Sequence, residues 1–401
     1  MIKIIRKYYL IIILILLSCD KPITESDSNE LLPKSSFNIS DFEKSDNCKS
    51  CHPNHYEQWS RSAHYLTSKS EKFFKDWIKE QNKRPDSGED FCAQCHLPVA
   101  YLTDEVVGGY DSPNKFIESD LPAQLTDAIS CSFCHSMVNT SGSMHTDPTI
   151  SGDVAAVAEY FLFPGAGVQF GSIADPVSNS YHESAFNPIY SESEVCLPCH
   201  NHVIRNNLIE TTFSEWNSNS FVAMTGEPSC QSCHMQEYIG YAAIGSKERT
   251  VHNHNFVGVS TDFSLPINPL SQSYIDSSEL LKSALEVQYR LKDSILYSMD
   301  SDYLNFSVSI NNLTAHNIPT GNAFVREAWL EFIVVSNQDT IFTSGEIKSN
   351  SSDLPTSNDE NLLVFTSYLL DQSGNPTNAA ADAYDFISTQ LPTYGSIEKI
   401  F

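Results

Sequence analysis

Ten of the chain's eleven cysteines fall into five copies of one pattern. The copies are Cys48-Lys-Ser-Cys51-His52, Cys92-Ala-Gln-Cys95-His96, Cys131-Ser-Phe-Cys134-His135, Cys196-Leu-Pro-Cys199-His200 and Cys230-Gln-Ser-Cys233-His234. Two thiols three residues apart suit thioether bonds to the two vinyl groups of one porphyrin, and the next residue supplies an imidazole to its iron. A zinc site or a redox dithiol would use the cysteine pair but has no need of a histidine directly after it. A disulfide within each pair would close a loop too small to staple a fold. The repeats therefore predict five covalently bound haem c groups, with His52, His96, His135, His200 and His234 as proximal ligands.

Eight further histidines, His55, His64, His145, His182, His202, His252, His254 and His316, are enough for a second imidazole on every iron. His55 follows His52 by three residues on a helix predicted to open with Pro53, so it shares the proximal face and cannot reach the far side of that haem. His64 would lie about 18 Å along a continuous helix from His52, which makes it a ligand for a neighbouring haem. His202 points away from His200 and suits either another haem or the surface. His252 and His254 alternate in Val-His-Asn-His-Asn-Phe, so both can face inward in extended chain, and crowding leaves room for one. Methionine is the competing ligand and would raise the potential. Met235 is badly placed for its own haem's far face, and Met144 stands beside His145.

The polypeptide carrying these motifs is rich in Ser, Asn, Pro and Gly and cannot build an ordinary apolar core. The porphyrins must serve as the core, wrapped by short helices and loops, with no ordered sheet expected between Cys48 and His234. The character changes after Gly258. Asp276 with Glu279 three residues on predicts a helix start. Leu285, Val287, Tyr289 and Leu291 alternate with polar residues, as do Leu304, Phe306, Val308 and Ile310, then Leu330, Phe332 and Val334, and Thr340 to Thr343. The fold class read from this is α+β: a mostly α and irregular multihaem domain over 42–258, followed by a small β-sandwich over 259–401. Ile397 to Phe401 read as a further strand, so the β-domain is expected to be incomplete and the chain to continue.

Lys3, Arg6 and Lys7 precede an apolar run from Tyr8 to Leu17, which is the pattern of a secretory signal and is too short for a comfortable membrane span. Leu16-Leu17-Ser18-Cys19 resembles the bacterial lipobox, whose cysteine is lipidated; an uncleaved anchor helix or an ordinary signal is the alternative. Residues 1–18 are thus read as signal, and 19–41, rich in Ser, Asp, Glu, Pro and Lys, as a flexible tether. The expected location is the bacterial cell envelope, as a periplasmic or outer-membrane lipoprotein. Losing three of the 24 bases leaves 21 against 50 acids, a net of −29. Such a field disfavours nucleic acid and steers a basic redox partner, besides keeping an exported protein soluble.

Residues 45–335 resemble the multihaem cytochromes related to hydroxylamine oxidoreductase and its tetrahaem electron acceptor. The segment from Cys51-His52-Pro53 through Trp59 to His64 is similar to the family's first haem segment. Phe170-Gly171 through His182 is similar to its Tyr-Gly-Pro loop and following ligand histidine, and His254-Asn-Phe-Val-Gly258 to its His-x-Phe-x-Gly ligand. His316-Asn-Ile-Pro-Thr-Gly321, with Arg326 and Trp329, is similar to a Gly-His-x-x-Pro-Thr-Gly signature of appended β-domains, with Ala315 in place of the glycine. The resemblance implies His64, His182 and His254 as distal ligands. His145 and His316 complete the set, with a turn histidine bonded to backbone as the alternative for His316. The family's nitrite reducers carry a lysine in the catalytic motif, and hydroxylamine oxidoreductase carries eight haems and a tyrosine crosslink. Five motifs, all ending in histidine, match neither activity.

These readings favour a lipid-anchored electron carrier between a quinol-linked donor or basic cytochrome and a terminal reductase or outward acceptor, with no catalytic residue. An oxidoreductase with one open haem for a small nitrogen or sulfur compound, and a subunit of a larger cytochrome complex or filament, are the rivals.

Overall fold

A Cys-x-x-Cys-His motif wound into one helical turn puts the first cysteine, the second at i+3 and the histidine at i+4 on one face. In this computed structural model the third and fifth motifs are helices in their own right, Cys131–His135 and Cys230–His234. Ser130 and Ser229 cap them, accepting from the amides of Phe133 and Ser232 at 3.2 and 3.3 Å. In the first and fourth motifs the same turn is closed by His52 N donating to Cys48 O and His200 N donating to Cys196 O, at 2.8 and 3.0 Å. The structure describes residues 37–67, 93–103, 123–137, 167–204, 207–259, 268–291, 305–347, 359–377 and 382–401. Cys19, Cys92 and His145 lie outside these, as do the predicted signal and most of the tether.

The chain after the first motif does not run on as one helix. Helix α1 (Pro53–Ser60) opens with proline, stops at Arg61, and a second turn, α2 (Ala63–Leu66), carries His64. Ser62 is buried at the break and donates its hydroxyl to Trp59 O at 2.7 Å. Phe42, Leu97, Val99, Tyr101, Leu102, Leu125 and Phe133 form the main apolar cluster beneath the motifs, with Cys95, Cys134 and Cys199 packed on it.

Contrary to the expectation of no sheet between Cys48 and His234, two short ladders occur there. Strand β1 (Val168–Gly171) pairs in parallel with β2 (Glu183–Phe186), and β3 (His202–Ile204) pairs with β4 (Asn207–Glu210) in a tight hairpin. A third pair, β5 (Glu237–Tyr241) with β6 (Glu248–His252), follows the last motif. Ladders this short leave no period-two signature in polar sequence, because tertiary contacts rather than an apolar face hold them.

Helix α3 (Thr212–Ser218) lies between β4 and the fifth motif. Helix α4 (Gln272–Ala284) starts four residues before Asp276: Ser271 is the cap, accepting from Tyr274 N, and Asp276 instead accepts from Gln272 and Asn255. The helix leads directly into β7 (Leu285–Leu291), paired with β8 (Phe306–Asn312), whose other neighbour is β16 (Ser396–Ile400). The predicted third strand is split at Glu331: β9 (Ala328–Leu330) pairs with β12 (Leu363–Phe365), and β10 (Phe332–Ser336) with β11 (Asp339–Ser344). Strands β13 (Ser367–Leu370), β14 (Pro376–Thr377) and β15 (Asp385–Ser388) make a further small sheet. Val308 and Ile310 of β8 share one core with Phe365 of β12 and Leu391. The molecule thus has helices plus several small sheets, an α+β fold.

Candidate haem-binding site

One cavity of about 3030 Å³ runs through the molecule, and thiols from all five motifs line it: Cys48 and Cys51, Cys95, Cys131 and Cys134, Cys196 and Cys199, Cys230 and Cys233. Among the described residues no three His, Cys, Asp or Glu side chains converge as a tetrahedral metal site would require.

Four of the five motif histidines face a second histidine across this cavity. The ring centroids of His52 and His182 are 6.3 Å apart, of His64 and His200 6.3 Å, of His135 and His254 6.2 Å, and of His234 and His316 6.3 Å. Two metal–imidazole bonds of about 2.0–2.1 Å, together with the two ring radii, span about 6 Å between centroids. The spacing is too long for ring stacking and right for one ion between two nitrogens. His55 behaves differently: it meets His254 edge-on at 4.7 Å, too close for an intervening ion, and burial pushes its pKa down to about 4. It is packing between the first and third sites.

Backbone carbonyls orient these rings. His52 Nδ1 bonds Ala242 O at 2.6 Å, His135 Nδ1 bonds Phe170 O at 2.5 Å, and His234 Nδ1 bonds Val257 O at 2.5 Å. On the opposite side His182, His254 and His316 bond the carbonyls of Glu183, His252 and Asn317 at 2.9–3.0 Å. A carbonyl only accepts, so the proton sits on Nδ1 and the Nε2 lone pair is left for a metal. Burial reinforces the neutral form: it lowers the pKa of His135, His234 and His254, and takes His64 to about 3. His200 differs, with the Glu210 carboxylate 3.9 Å from its Nδ1. Burial disfavours charge on both partners, but their attraction outweighs it, raising the imidazole and holding the carboxyl below its ordinary range.

The two ladders unforeseen in the sequence make three of these contacts. Strand β1 offers Phe170 O to His135, β2 follows His182, and the β3–β4 hairpin delivers Glu210 to His200. The segment after β6 serves three sites: His254 faces His135, Val257 O holds His234, and the Phe256 ring lies 4.3 Å from His64 and 5.8 Å from His254. Phe256 has φ +45°, a left-handed conformation that side chains rarely adopt. Tyr190 stacks on His135 at 5.6 Å and donates to Cys134 O at 2.6 Å. Neither Glu210 nor Tyr190 carries a sequence signal apart from its nearness to a motif, whereas Phe256 is the phenylalanine of the His-x-Phe-x-Gly resemblance.

Contacts between motifs order the sites. The side chains of Cys48 and Cys131, of Cys196 and Cys230, and of Cys95 and Cys199 lie beside each other. The first and fourth motifs share a further device. A serine three residues before the leading cysteine, Ser45 or Ser193, accepts from the amide of the partner motif's leading cysteine, Cys131 at 3.4 Å or Cys230 at 2.9 Å. Thus the first motif abuts the third, the fourth abuts the fifth, and the second abuts the fourth.

The thiols, the paired imidazoles and the cavity fit c-type haem. The family described as cytochrome c554 and c-prime matches residues 47–136, which hold the first three motifs. No curated protein matches the chain. Among solved structures, a penta-heme cytochrome c552 from Thermochromatium tepidum is similar in fold, with TM-score 0.59 at 18% identity over 91% of this chain and 88% of that one. The motifs and the family match over residues 47–136 mark the chain as a multihaem c-type cytochrome, and the likeness to the penta-heme structure is one of fold.

Proposed function

We propose that this protein is a pentahaem electron carrier of the bacterial cell envelope, held to a membrane by a lipid on Cys19. The observation that carries the carrier reading is the set of four facing imidazole pairs at 6.2–6.3 Å. When bound, the haems supply one-electron chemistry. The protein's part would be to hold each pair of imidazoles fixed, so that little geometry need change with oxidation state. His52 with His182, His200 with His64, His135 with His254 and His234 with His316 are assigned as axial pairs. His145 is the histidine of the predicted set that remains for His96.

The pairs cross the chain: a ligand from the first motif's segment serves the fourth, and one from the C-terminal part serves the fifth. The β-domain, read as sandwich-like from the shared core of β8 and β12, is therefore part of the redox assembly. The motif contacts give a path from first to third site, and from fifth through fourth to second. The net charge, −29 once residues 1–18 and their three bases are removed, favours a basic redox partner, with a membrane-linked donor and a terminal reductase or outward acceptor at the two ends. No helix among the described residues is long and apolar enough to cross a membrane, and the proposed attachment is the lipid.

Electron paramagnetic resonance of the oxidised protein, with a haem count by pyridine haemochrome, tests the reading. Five haems, all low-spin, are expected. A high-spin centre that binds small ligands would replace the carrier by an enzyme with an open haem.

A further inference from the structure

Glu215 lies on α3 and is 8% exposed, yet four donors surround its carboxylate. Thr211 Oγ1 and Gln390 Nε2 donate to Oε1 at 2.6 and 3.4 Å, and Asn317 N and Thr320 Oγ1 donate to Oε2 at 3.0 and 2.5 Å. Three of the four come from the C-terminal part of the chain, and two of those lie in the loop that begins with His316. Asn317 is also the residue whose carbonyl accepts from His316 Nδ1 at 2.9 Å. Glu215 thus grips the peptide unit next to the imidazole that faces His234.

The other side of His316 is anchored by apolar contact. Ala315 is buried in a cluster with Leu197, Phe213, Trp216 and Val222, so Phe213 and Trp216 of α3 meet it while Glu215 meets Asn317. The methyl that replaces the glycine of the similar signature fills this cluster. Within the β-domain, Asn312 Nδ2 and Thr314 Oγ1 each donate to His316 O at 2.8 Å, so the loop keeps its own shape without Glu215. What Glu215 adds is the register of that loop against the haem-bearing part.

We propose that Glu215 is a positioning residue that sets the ligation of the fifth haem, by fixing His316 opposite His234 through Asn317 and Thr320. The carboxylate is needed rather than an amide. Asn317 N and Gln390 Nε2 can only donate, on opposite oxygens, so glutamine in this place would turn one acceptor against a donor. The proposal rests on the reading of His316 as an axial ligand.

The test compares His316→Ala, Glu215→Ala and Glu215→Gln holoproteins by electron paramagnetic resonance and by potentiometric titration of the individual haems. His316→Ala is expected to lose one low-spin centre. Glu215→Ala should perturb that same centre alone, by conversion to high spin or a shifted potential, and Glu215→Gln should fall between it and the parent. Unchanged centres in Glu215→Ala, or equal perturbation of several, would overturn the proposal. Loss of no centre in His316→Ala would instead overturn the axial reading beneath it. Should Glu215→Ala fail to accumulate as holoprotein, Thr320→Val removes one of the two loop donors; it should shift the same centre, and no shift would refute the role of Glu215.

Discussion

Phe256 is the sharpest place to perturb the proposed haem cluster, because its ring lies against His64 and His254, both proposed as iron ligands, while its backbone sits at φ +45°. Truncating a fully buried phenylalanine to alanine costs about 3–5 kcal/mol; Phe256 is only partly buried, so about 2 kcal/mol is expected. Alanine keeps the left-handed strain of about 1–2 kcal/mol, and glycine removes it. Glycine in turn costs about 0.5–1 kcal/mol more chain entropy than alanine. Phe256→Gly should therefore be as stable as Phe256→Ala or up to about 1.5 kcal/mol more stable, reversing the usual order. Denaturant midpoints read by Soret circular dichroism would measure this. Electron paramagnetic resonance should show the third and fourth centres, which His254 and His64 serve, perturbed in both variants, and the fifth unchanged. A glycine variant less stable than the alanine variant, or third and fourth centres left unaltered, would refute the wedge role.

Ser45→Ala and Ser193→Ala each remove the acceptor of a partly buried cysteine amide, and each should cost about 1 kcal/mol, adding in the double variant because the two sites are separate. Faster hydrogen exchange at the Cys131 and Cys230 amides would report it. Asp175 accepts from Lys247 and Arg249 at 2.6 Å each, and these hydrogen bonds hold its carboxyl at about 2. Because that value is depressed, the contact is full above the ordinary carboxylate range and is lost only as pH falls through about 2. An Asp175 titration by nuclear magnetic resonance with a midpoint near the ordinary value would contradict it, and added salt should weaken this exposed contact. Replacing Cys19 by Ala should move the protein from the membrane to the soluble fraction, and unchanged retention would refute lipidation.

The strands of the C-terminal part were legible where one face is buried. The predicted strands at Leu285–Leu291 and around Phe306–Ile310 correspond to β7 and β8; Val308 and Ile310 of β8 enter the shared core and Leu285 packs on it, but Val287 and Tyr289, read as the buried face of β7, are exposed. The predicted third strand hid a break, because β9 and β10 turn to different partners at Glu331 without interrupting the alternation. The start of α4 was misread because Asp276 has capping chemistry, but Ser271 holds the place where the chain leaves the extended conformation. The ladders in the haem-bearing part had no signature at all, since their pairing is set by the groups they must reach.

Thiol spacing is local, so the sequence by itself marked the candidate attachment sites and proximal histidines: one helical turn puts Cys, Cys and His on one face whatever surrounds it. It also supplied a sufficient set of second histidines, but not their assignment. Which ring faces which is decided by segments far apart in the chain, as when His64 crosses to His200 and His316 reaches His234. That choice rests on the break at Ser62, the carbonyls of Ala242, Phe170 and Val257, and the grip of Glu215. All of these are contacts between distant segments, and only tertiary packing brings such groups within hydrogen-bonding reach.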